Sequence, residues 1–142
     1  MCGRFVLSNF IEVKDFHKVL IEPSYNIAPS HSTLIFNREM KPDFLEWGYS
    51  PKWAKKPMNL INAKYESLDI KPSFKDYDTC VFVADGWFEW HKNSRGEKHP
   101  IFIHADNEIF YFAGIKNASG AAIVTINAHP SLTCLLYTSP SP

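Results

Sequence analysis

The sequence has few cysteines and no net charge, and each of these features excludes a class of protein. Only three of the 142 residues are cysteines, at positions 2, 80 and 134, which is too few and too scattered for a disulfide framework or a zinc site. Fifteen basic residues balance fifteen acidic ones, so binding to nucleic acid would need a local basic patch.

Long apolar runs are also missing. The opening MCGRFVLSNF has no basic leader followed by an apolar stretch, so it is unlike a signal peptide, and no stretch has the length of a membrane span. These absences lead us to expect a cytoplasmic protein without membrane contact. The length fits one domain with a core of its own.

Short apolar segments dominate what is present, and they predict β-strands. Runs such as TCVFVADGWFEW, EIFYFAGI and AAIVTIN are rich in β-branched and aromatic residues, and turn signals such as 93–96 (NSRG) separate them. Asn9 with Glu12 is typical of a capping box that opens a short helix through about Leu20. The prediction is an α+β fold: one β-rich domain with a largely antiparallel, twisted or barrel-like sheet and a few short helices.

The C-terminal segment differs from the rest. After about Leu132 the sequence TCLLYTSPSP continues no strand or helix pattern and resembles translated adapter sequence. We therefore assign residues 1–132 to the domain, which we expect to be incomplete at its C-terminus, and 133–142 to a foreign or disordered tail.

Cys2 stands directly behind the initiator methionine, and this position has chemical consequences. Removal of Met1 would leave an α-amine and a thiol on adjacent carbons, with ordinary pKa values of about 7.7–8 and 8.5. The amine can condense with an aldehyde, after which the thiol closes onto the imine as a five-membered thiazolidine. The alternative is that a cysteine at position two has no role.

Two polar motifs also interrupt the apolar pattern. In LINAKYES, Asn62 and Lys64 alternate with small residues, a pattern that a solvated edge strand produces equally well. In VADGWFEW, Glu89 stands among Trp87, Phe88 and Trp90, rings that could equally belong to the core, as we expect for Phe88. We expect these rings to desolvate the carboxylate and raise its pKa, as a general acid at neutral pH requires, although an exposed edge-strand glutamate would have the same neighbours in sequence.

Two further stretches combine features of a nucleic-acid site. In EWGYSPKWAKKP, Trp47 and Trp53 are interleaved with Lys52, Lys55 and Lys56, which suits bases stacking on rings and phosphates meeting lysines. A solvated loop above tucked-in tryptophans explains this spacing equally well. In YNIAPS, Pro29 is a rigid apolar corner able to wedge a base, and Asn26 suits a turn.

Taken together and in order, MCGRF, YNIAPS, EWGYSPKW, NAKYES, ADGWFEW, FAGI and VTINA resemble the SOS response-associated peptidase family, whose members process abasic sites. The resemblance runs from Met1 to about Leu132. It implies an α+β fold, loss of Met1, and capture of abasic sites in single-stranded DNA as a thiazolidine on Cys2. It also implies a monomer without metal or cofactor, associated with the nucleoid when on DNA.

The resemblance also assigns roles. Cys2 matches the nucleophile, Asn62 the asparagine that holds the opened sugar, and Glu89 the acid that promotes ring opening. Arg4 and Trp90 match positions that line the family's DNA cleft, and we expect Pro29, Trp47 and Lys64 to contact DNA as well. Two departures stand out: the family usually has arginine at Lys64, and its downstream His-x-Arg motif is absent, since His129 lies too close behind VTINA and is interpreted as a turn residue.

Two other functions remain open from the sequence. An N-terminal-nucleophile glutamine amidotransferase also begins Met-Cys-Gly and uses its free amine as a base, but the glutamine-recognition motifs of that class are absent. A non-covalent single-strand binding module would instead use Trp47, Trp53 and the neighbouring lysines.

Overall fold

Two β-sheets form the part of the chain that the computed structural model describes, which comprises residues 2–8, 22–106 and 108–127. The predicted helix from Asn9 to Leu20, His129 and the C-terminal tail lie outside these residues. The strands are β1 Phe5–Leu7, β2 Ser24–Ile27, β3 Ser32–Asn37, β4 Pro42–Glu46, β5 Asn62–Lys64, β6 Asp78–Ala84, β7 Gly86–Lys92, β8 Lys98–His104, β9 Phe110–Asn117 and β10 Gly120–Thr125. Two 3₁₀ turns, Tyr65–Ser67 and Pro72–Phe74, are the helical elements of the described residues.

The first sheet has four antiparallel strands in the order β2-β1-β7-β8, and the second has six in the order β4-β3-β6-β9-β10-β5. Every pair in the larger sheet is antiparallel except β5 with β10, which run parallel at its edge. The sequence-based prediction of a β-rich, largely antiparallel fold is therefore confirmed. The two sheets do not close into one barrel.

The core lies where the two sheets meet, and Phe5 of β1 is at its centre. Its ring contacts Trp47 edge-on at a centroid distance of 5.1 Å and Phe82 of β6 at 6.2 Å. All three rings are fully buried. Because strand residues alternate between faces, Phe5 points into the core together with Trp87, its neighbour across the β1–β7 pair.

The start of the chain is fixed in place by the corner between β6 and β7. Asp85, which is buried in that corner, accepts hydrogen bonds from the backbone N–H and the hydroxyl of Ser8 at 2.6 and 2.8 Å. Its own N–H donates to the Val6 carbonyl at 2.9 Å. These bonds hold β1 against β7, so the residues just before β1 have a defined position.

The hairpin between β7 and β8 follows the turn signal in the sequence. The Asn93 side-chain oxygen accepts from the N–H groups of Arg95 and Glu97 at 2.9 and 3.0 Å. Gly96 has φ +80°, a conformation that glycine adopts without steric cost. The predicted turn over 93–96 is therefore confirmed, and it sets the β7–β8 register that places Glu89 opposite Ile101.

Candidate functional site

Cys2 lies buried at the edge of the core, with only 6% of its surface exposed. Its Sγ is 3.6 Å from the Arg4 carbonyl oxygen, to which the thiol donates a weak hydrogen bond. Its own carbonyl oxygen accepts a 2.9 Å hydrogen bond from Nδ2 of Asn62. The second residue of the chain is thus held on both its side chain and its backbone.

Asn62 reaches Cys2 from the first position of β5, the edge strand that pairs in parallel with β10. Its Nδ2 donates to Cys2, whereas its Oδ1 is buried and has no hydrogen-bond partner among the residues that the structure describes. A buried acceptor without a partner carries a desolvation cost. The amide therefore has a free acceptor beside the second residue of the chain.

Glu89 extends from β7 toward the same region and is 8% exposed. Burial raises the pKa of its carboxyl, because removal from water disfavours the charged form, while a hydrogen bond from the Trp87 side chain acts in the opposite direction. The expected raised pKa is therefore present. A carboxyl in this environment keeps its proton to higher pH than an exposed one.

The rings expected to surround Glu89 lie elsewhere in two of three cases. Residues 88 and 90 alternate with residue 89 along β7, so their side chains leave the opposite face of the strand. The Phe88 ring contacts Phe102 at 5.0 Å, and Trp90 is 47% exposed. The prediction of three surrounding rings is wrong for Phe88 and Trp90, and Trp87 is the ring on the Glu89 side.

Cys2 and Glu89 are close enough to influence each other electrostatically. Burial raises the pKa of the Cys2 thiol to about 12, and the negative charge of Glu89 is the second cause. The thiol is therefore protonated at neutral pH. The structure brings Cys2, Asn62 and Glu89 together from three separate elements, and together they provide a thiol, an amide and a carboxyl in one buried location.

Arg4 lies beside this location and its side chain is fixed. Its Nη1 donates a 2.7 Å hydrogen bond to Oδ1 of Asn26 in β2. Sequence reasoning assigned Asn26 to a turn and missed this contact, because the two residues are separated by 22 positions and no local pattern connects them. A guanidinium fixed in this way is oriented before any ligand arrives.

The other residues expected at a DNA cleft differ in how far they are exposed. Pro29 is half-buried in the turn after β2, Lys64 is exposed at the end of β5, and Trp90 is exposed on β7. Trp47 is fully buried, contacts Phe5, and donates from Nε1 to the Ile61 carbonyl at 2.9 Å. The prediction that Trp47 lines a DNA cleft is therefore wrong, since its ring is part of the core and no face is open to a base.

The lysine-rich loop forms a separate feature. Lys52, Lys55 and Lys56 line an open pocket of about 550 Å³, and neither Cys2, Asn62 nor Glu89 belongs to its lining. Trp53 is 59% exposed, and its Nε1 donates to the Pro72 carbonyl at 3.3 Å. This ring, unlike that of Trp47, is available for contact with a ligand.

No group of three or more histidine, cysteine or carboxylate side chains is arranged to hold a metal ion within residues 2–8, 22–106 and 108–127. Over the same residues, no helix is both long and apolar enough to cross a membrane.

Comparison with known proteins gives one consistent family. A family model described as SOS response associated peptidase (SRAP) matches residues 1–140. The abasic site processing protein YoqW of Bacillus subtilis is 34% identical over 98% of this chain and 68% of its own length. The abasic site processing protein YedK of Escherichia coli is 33% identical, over 93% of this chain and 70% of its own.

A solved structure agrees with these sequence matches. A phage-related protein from Bordetella bronchiseptica superposes with a TM-score of 0.71 at 28% identity, covering 88% of this chain and 69% of that protein. The chain therefore spans about 70% of the length of each of these three relatives.

Proposed function

Because the chain belongs to the SOS response associated peptidase (SRAP) family, we propose that it processes abasic sites in DNA, and that it does so by capturing them covalently on Cys2. The observation that carries this proposal is the position of Cys2, which is hydrogen-bonded to Asn62 and lies within electrostatic reach of Glu89. The preferred substrate is an abasic site in single-stranded DNA, and the protein binds this DNA as a monomer.

Capture requires a free amine on Cys2, so the first step is removal of Met1. Water adds across the Met1–Cys2 peptide bond, methionine leaves, and the α-amine of Cys2 is released. The family name refers to peptidase activity, and we assign this cleavage to the protein itself. The Asn62–Cys2 hydrogen bond holds the carbonyl of Cys2, so the new amine is formed at a defined position.

The free amine then reacts with the aldehyde of the ring-opened sugar. Nitrogen adds to the carbonyl carbon, the resulting hydroxyl leaves as water, and an imine remains. The raised pKa lets the Glu89 carboxyl keep its proton to higher pH than an exposed glutamate does, so Glu89 can donate a proton to the departing hydroxyl and assist the opening of the sugar hemiacetal. The unpartnered Oδ1 of Asn62 is suited to accept a hydrogen bond from the amine or from a sugar hydroxyl.

Ring closure completes the adduct. The Cys2 sulfur bonds to the imine carbon, the thiol loses its proton, and the imine nitrogen becomes a secondary amine, so the step needs no oxidant or reductant. In the resting protein the thiol is neutral. A protonated imine next to it carries a positive charge, which lowers the pKa of a neighbouring thiol, so the nucleophile is activated only after the imine has formed.

This electrostatic setting argues against a glutamine amidotransferase. That chemistry needs a cysteine whose thiol is readily deprotonated by the adjacent amine. Here burial is the largest influence on the Cys2 thiol, and it raises the pKa and so opposes the thiolate. A purely non-covalent binding module loses one of its two proposed stacking rings, since Trp47 is buried.

The experiment is a cross-linking assay on the full chain. A single-stranded oligonucleotide with one abasic site and a matched intact oligonucleotide are incubated with the protein and run on a denaturing gel, and the N-terminal mass is measured in parallel. We expect a shifted band with the abasic strand alone and a protein lacking Met1. Equal results with both strands, or release of glutamate from glutamine without any adduct, would overturn the proposal.

A further inference from the structure

The loop over residues 51–57 and the turn between β9 and β10 enclose the pocket of about 550 Å³ that capture at Cys2 does not use. We call this cavity the lysine-lined pocket. Its volume lies in the range of about 300–1,000 Å³ that is usual for small-molecule sites. Among the described residues that line it, the charged ones are Lys52, Lys55, Lys56 and Glu46. The lining is therefore positively charged.

Hydrogen bonds at the base of the loop hold its two ends together. Tyr49 and Leu60 exchange backbone hydrogen bonds at 3.0 and 2.8 Å. Between them, Oγ of Ser50 accepts from the N–H groups of Met58 and Asn59 at 2.9 and 3.3 Å. The chain therefore enters and leaves the loop at one fixed point, so the three lysines project from a constrained segment of backbone.

Two prolines restrict the loop itself. Pro51 directly precedes Lys52, and Pro57 directly follows Lys56. The ring of each proline fixes its own φ angle. In addition, the Ala54 N–H donates to the Pro51 carbonyl at 3.0 Å and closes a turn. A loop restricted in this way loses little conformational entropy when a ligand binds, which favours affinity.

The β9–β10 turn forms the opposite wall and is attached to the loop through Ser50. Nδ2 of Asn117 donates to the Ser50 carbonyl at 2.8 Å, and Oγ of Ser119 accepts from the Ser50 N–H at 2.8 Å. Gly120 has φ +146°, and a Cβ placed on it would overlap the Gly48 carbonyl oxygen. Only glycine therefore allows the turn to pack this closely. Both walls of the pocket are fixed before any ligand arrives.

The charges of the three lysines are not neutralised by the described part of the chain. The only ion pair within that part joins His99 to Glu97, so none of Lys52, Lys55 and Lys56 is paired with a carboxylate there. Ammonium groups of one sign around a cavity repel one another and concentrate anions within it. Lysine binds phosphate groups through its point charge. An anion with several charges would neutralise more than one of these lysines at once.

We propose that the lysine-lined pocket binds a small free anion with more than one phosphate group, of the chemical class of pyrophosphate, tripolyphosphate and nucleoside diphosphates. A cavity with two fixed walls suits a compact ligand that several lysines surround. Because Cys2, Asn62 and Glu89 are not in its lining, the anion would not compete for their site. The inference does not depend on the capture of abasic sites.

Calorimetric titration of the full chain with sodium tripolyphosphate tests the pocket. The parent should bind the anion, and the double variant Lys55→Gln/Lys56→Gln should bind it at least about tenfold more weakly, because each lost ammonium removes a charge-assisted contact. Lys55→Arg/Lys56→Arg keeps both charges and should bind more tightly than the glutamine variant. No binding by the parent, or equal affinities of the parent and the glutamine variant, would overturn the proposal.

Lys41→Gln/Lys75→Gln is the matched control. It removes the same charge from two exposed lysines that are not in the lining of the pocket, so it should bind tripolyphosphate like the parent. An equal loss of affinity in this control would mean that the overall charge of the chain attracts the anion, and the proposal would then be wrong.

A 15-nucleotide oligothymidylate distinguishes free phosphates from those of a nucleic acid. Its affinity, measured by fluorescence anisotropy, should be the same for Lys55→Gln/Lys56→Gln as for the control variant. A larger loss in Lys55→Gln/Lys56→Gln would place a strand in the pocket and overturn a free anion as its ligand. Thermal melting verifies that each variant is folded, and tripolyphosphate should raise the melting temperature of the parent more than that of the glutamine variant.

Discussion

The side-chain amide of Asn62 donates a 2.9 Å hydrogen bond to the backbone carbonyl of Cys2, across 60 positions of the chain. This bond attaches the start of the polypeptide to the edge strand of the larger sheet. The other end of the same amide, Oδ1, is buried without a partner among the described residues. One side chain therefore positions Cys2 with its donor and keeps an acceptor ready beside it.

Asn62→Asp should slow adduct formation by at least about tenfold. The substitution removes the donor and places a carboxylate against a carbonyl oxygen. The interaction that positions Cys2 therefore loses more than the contribution of a single hydrogen bond, which is about 0.5–1.5 kcal/mol. Asn117→Ala is the control, because Asn117 donates a comparable 2.8 Å bond to the Ser50 carbonyl at the lysine-lined pocket. Timed denaturing gels should show slow capture for Asn62→Asp alone. Parallel losses in both variants would mean that Asn62 only stabilises the fold.

Cys2→Ser should abolish the stable adduct while keeping a transient one. Serine retains the α-amine, so the imine still forms, but an alcohol is a far poorer nucleophile than a thiol for closing the ring. Borohydride should therefore trap a cross-link with Cys2→Ser, and without borohydride no band should survive heating. A heat-stable band from Cys2→Ser in the absence of reductant would contradict the thiazolidine.

Glu89→Gln should slow capture by about 10²–10⁴-fold, the usual contribution of general acid–base catalysis. The raised pKa of Glu89 means that its acid form persists to higher pH than that of an exposed glutamate and is lost as the pH rises through the raised value. The parent's capture rate should therefore fall on the alkaline side as Glu89 ionises, and Glu89→Gln should lack that limb. Identical pH–rate profiles for parent and variant would remove Glu89 from the reaction.

Glu89→Gln, which should slow capture, should also make the folded protein more stable relative to the parent as the pH rises. A carboxyl whose pKa is higher in the folded than in the unfolded state contributes fully below its ordinary pKa, and that contribution is lost as the pH rises through the raised value. Glu89→Gln has no such loss, so its melting temperature relative to the parent should increase from pH 4 to pH 7.5. A relative melting temperature that decreases over this range would mean that a favourable contact of the ionised carboxylate outweighs its desolvation.

Trp47→Ala and Trp53→Ala should separate a core tryptophan from a surface one. Removing the buried Trp47 ring leaves a cavity beside Phe5 and takes away one of the two hydrogen bonds that the Ile61 carbonyl accepts, at a cost of about 3–5 kcal/mol in the free energy of unfolding. Trp53 is mostly exposed, so its loss should cost less than about 1 kcal/mol. Urea unfolding measures both, and similar midpoints would contradict the burial of Trp47.

Local patterns in the sequence predicted most of the strands, because each strand carries its own signal. The β6–β7 segment and the 93–96 turn are examples, since β-branched runs and a glycine with positive φ act over a few residues. The parallel pairing of β5 with β10 had no such signal. It joins residues near position 63 to residues near 124, and distant pairings depend on the packing of the whole chain.

Most residues of the candidate site could be predicted from the sequence, but the arrangement of their side chains could be predicted only in part. The neighbours of Glu89 could have been assigned correctly from strand alternation alone, which places Phe88 and Trp90 on the other face. Trp47 could not, because a tryptophan beside lysines in a loop is equally compatible with a buried and an exposed ring. Its burial follows from contact with Phe5, a residue 42 positions earlier.

The long separation between Cys2 and its partners has a consequence for biosynthesis. Cys2 leaves the ribosome first, and at about 5–20 residues per second Asn62 follows roughly 3–12 seconds later, with Glu89 later still. A nascent chain therefore carries Cys2 before either its positioning amide or its neighbouring acid has been made. The candidate site is completed only when β7 has been synthesised and paired with β1, so translation itself would delay the proposed chemistry until the fold that positions these residues exists.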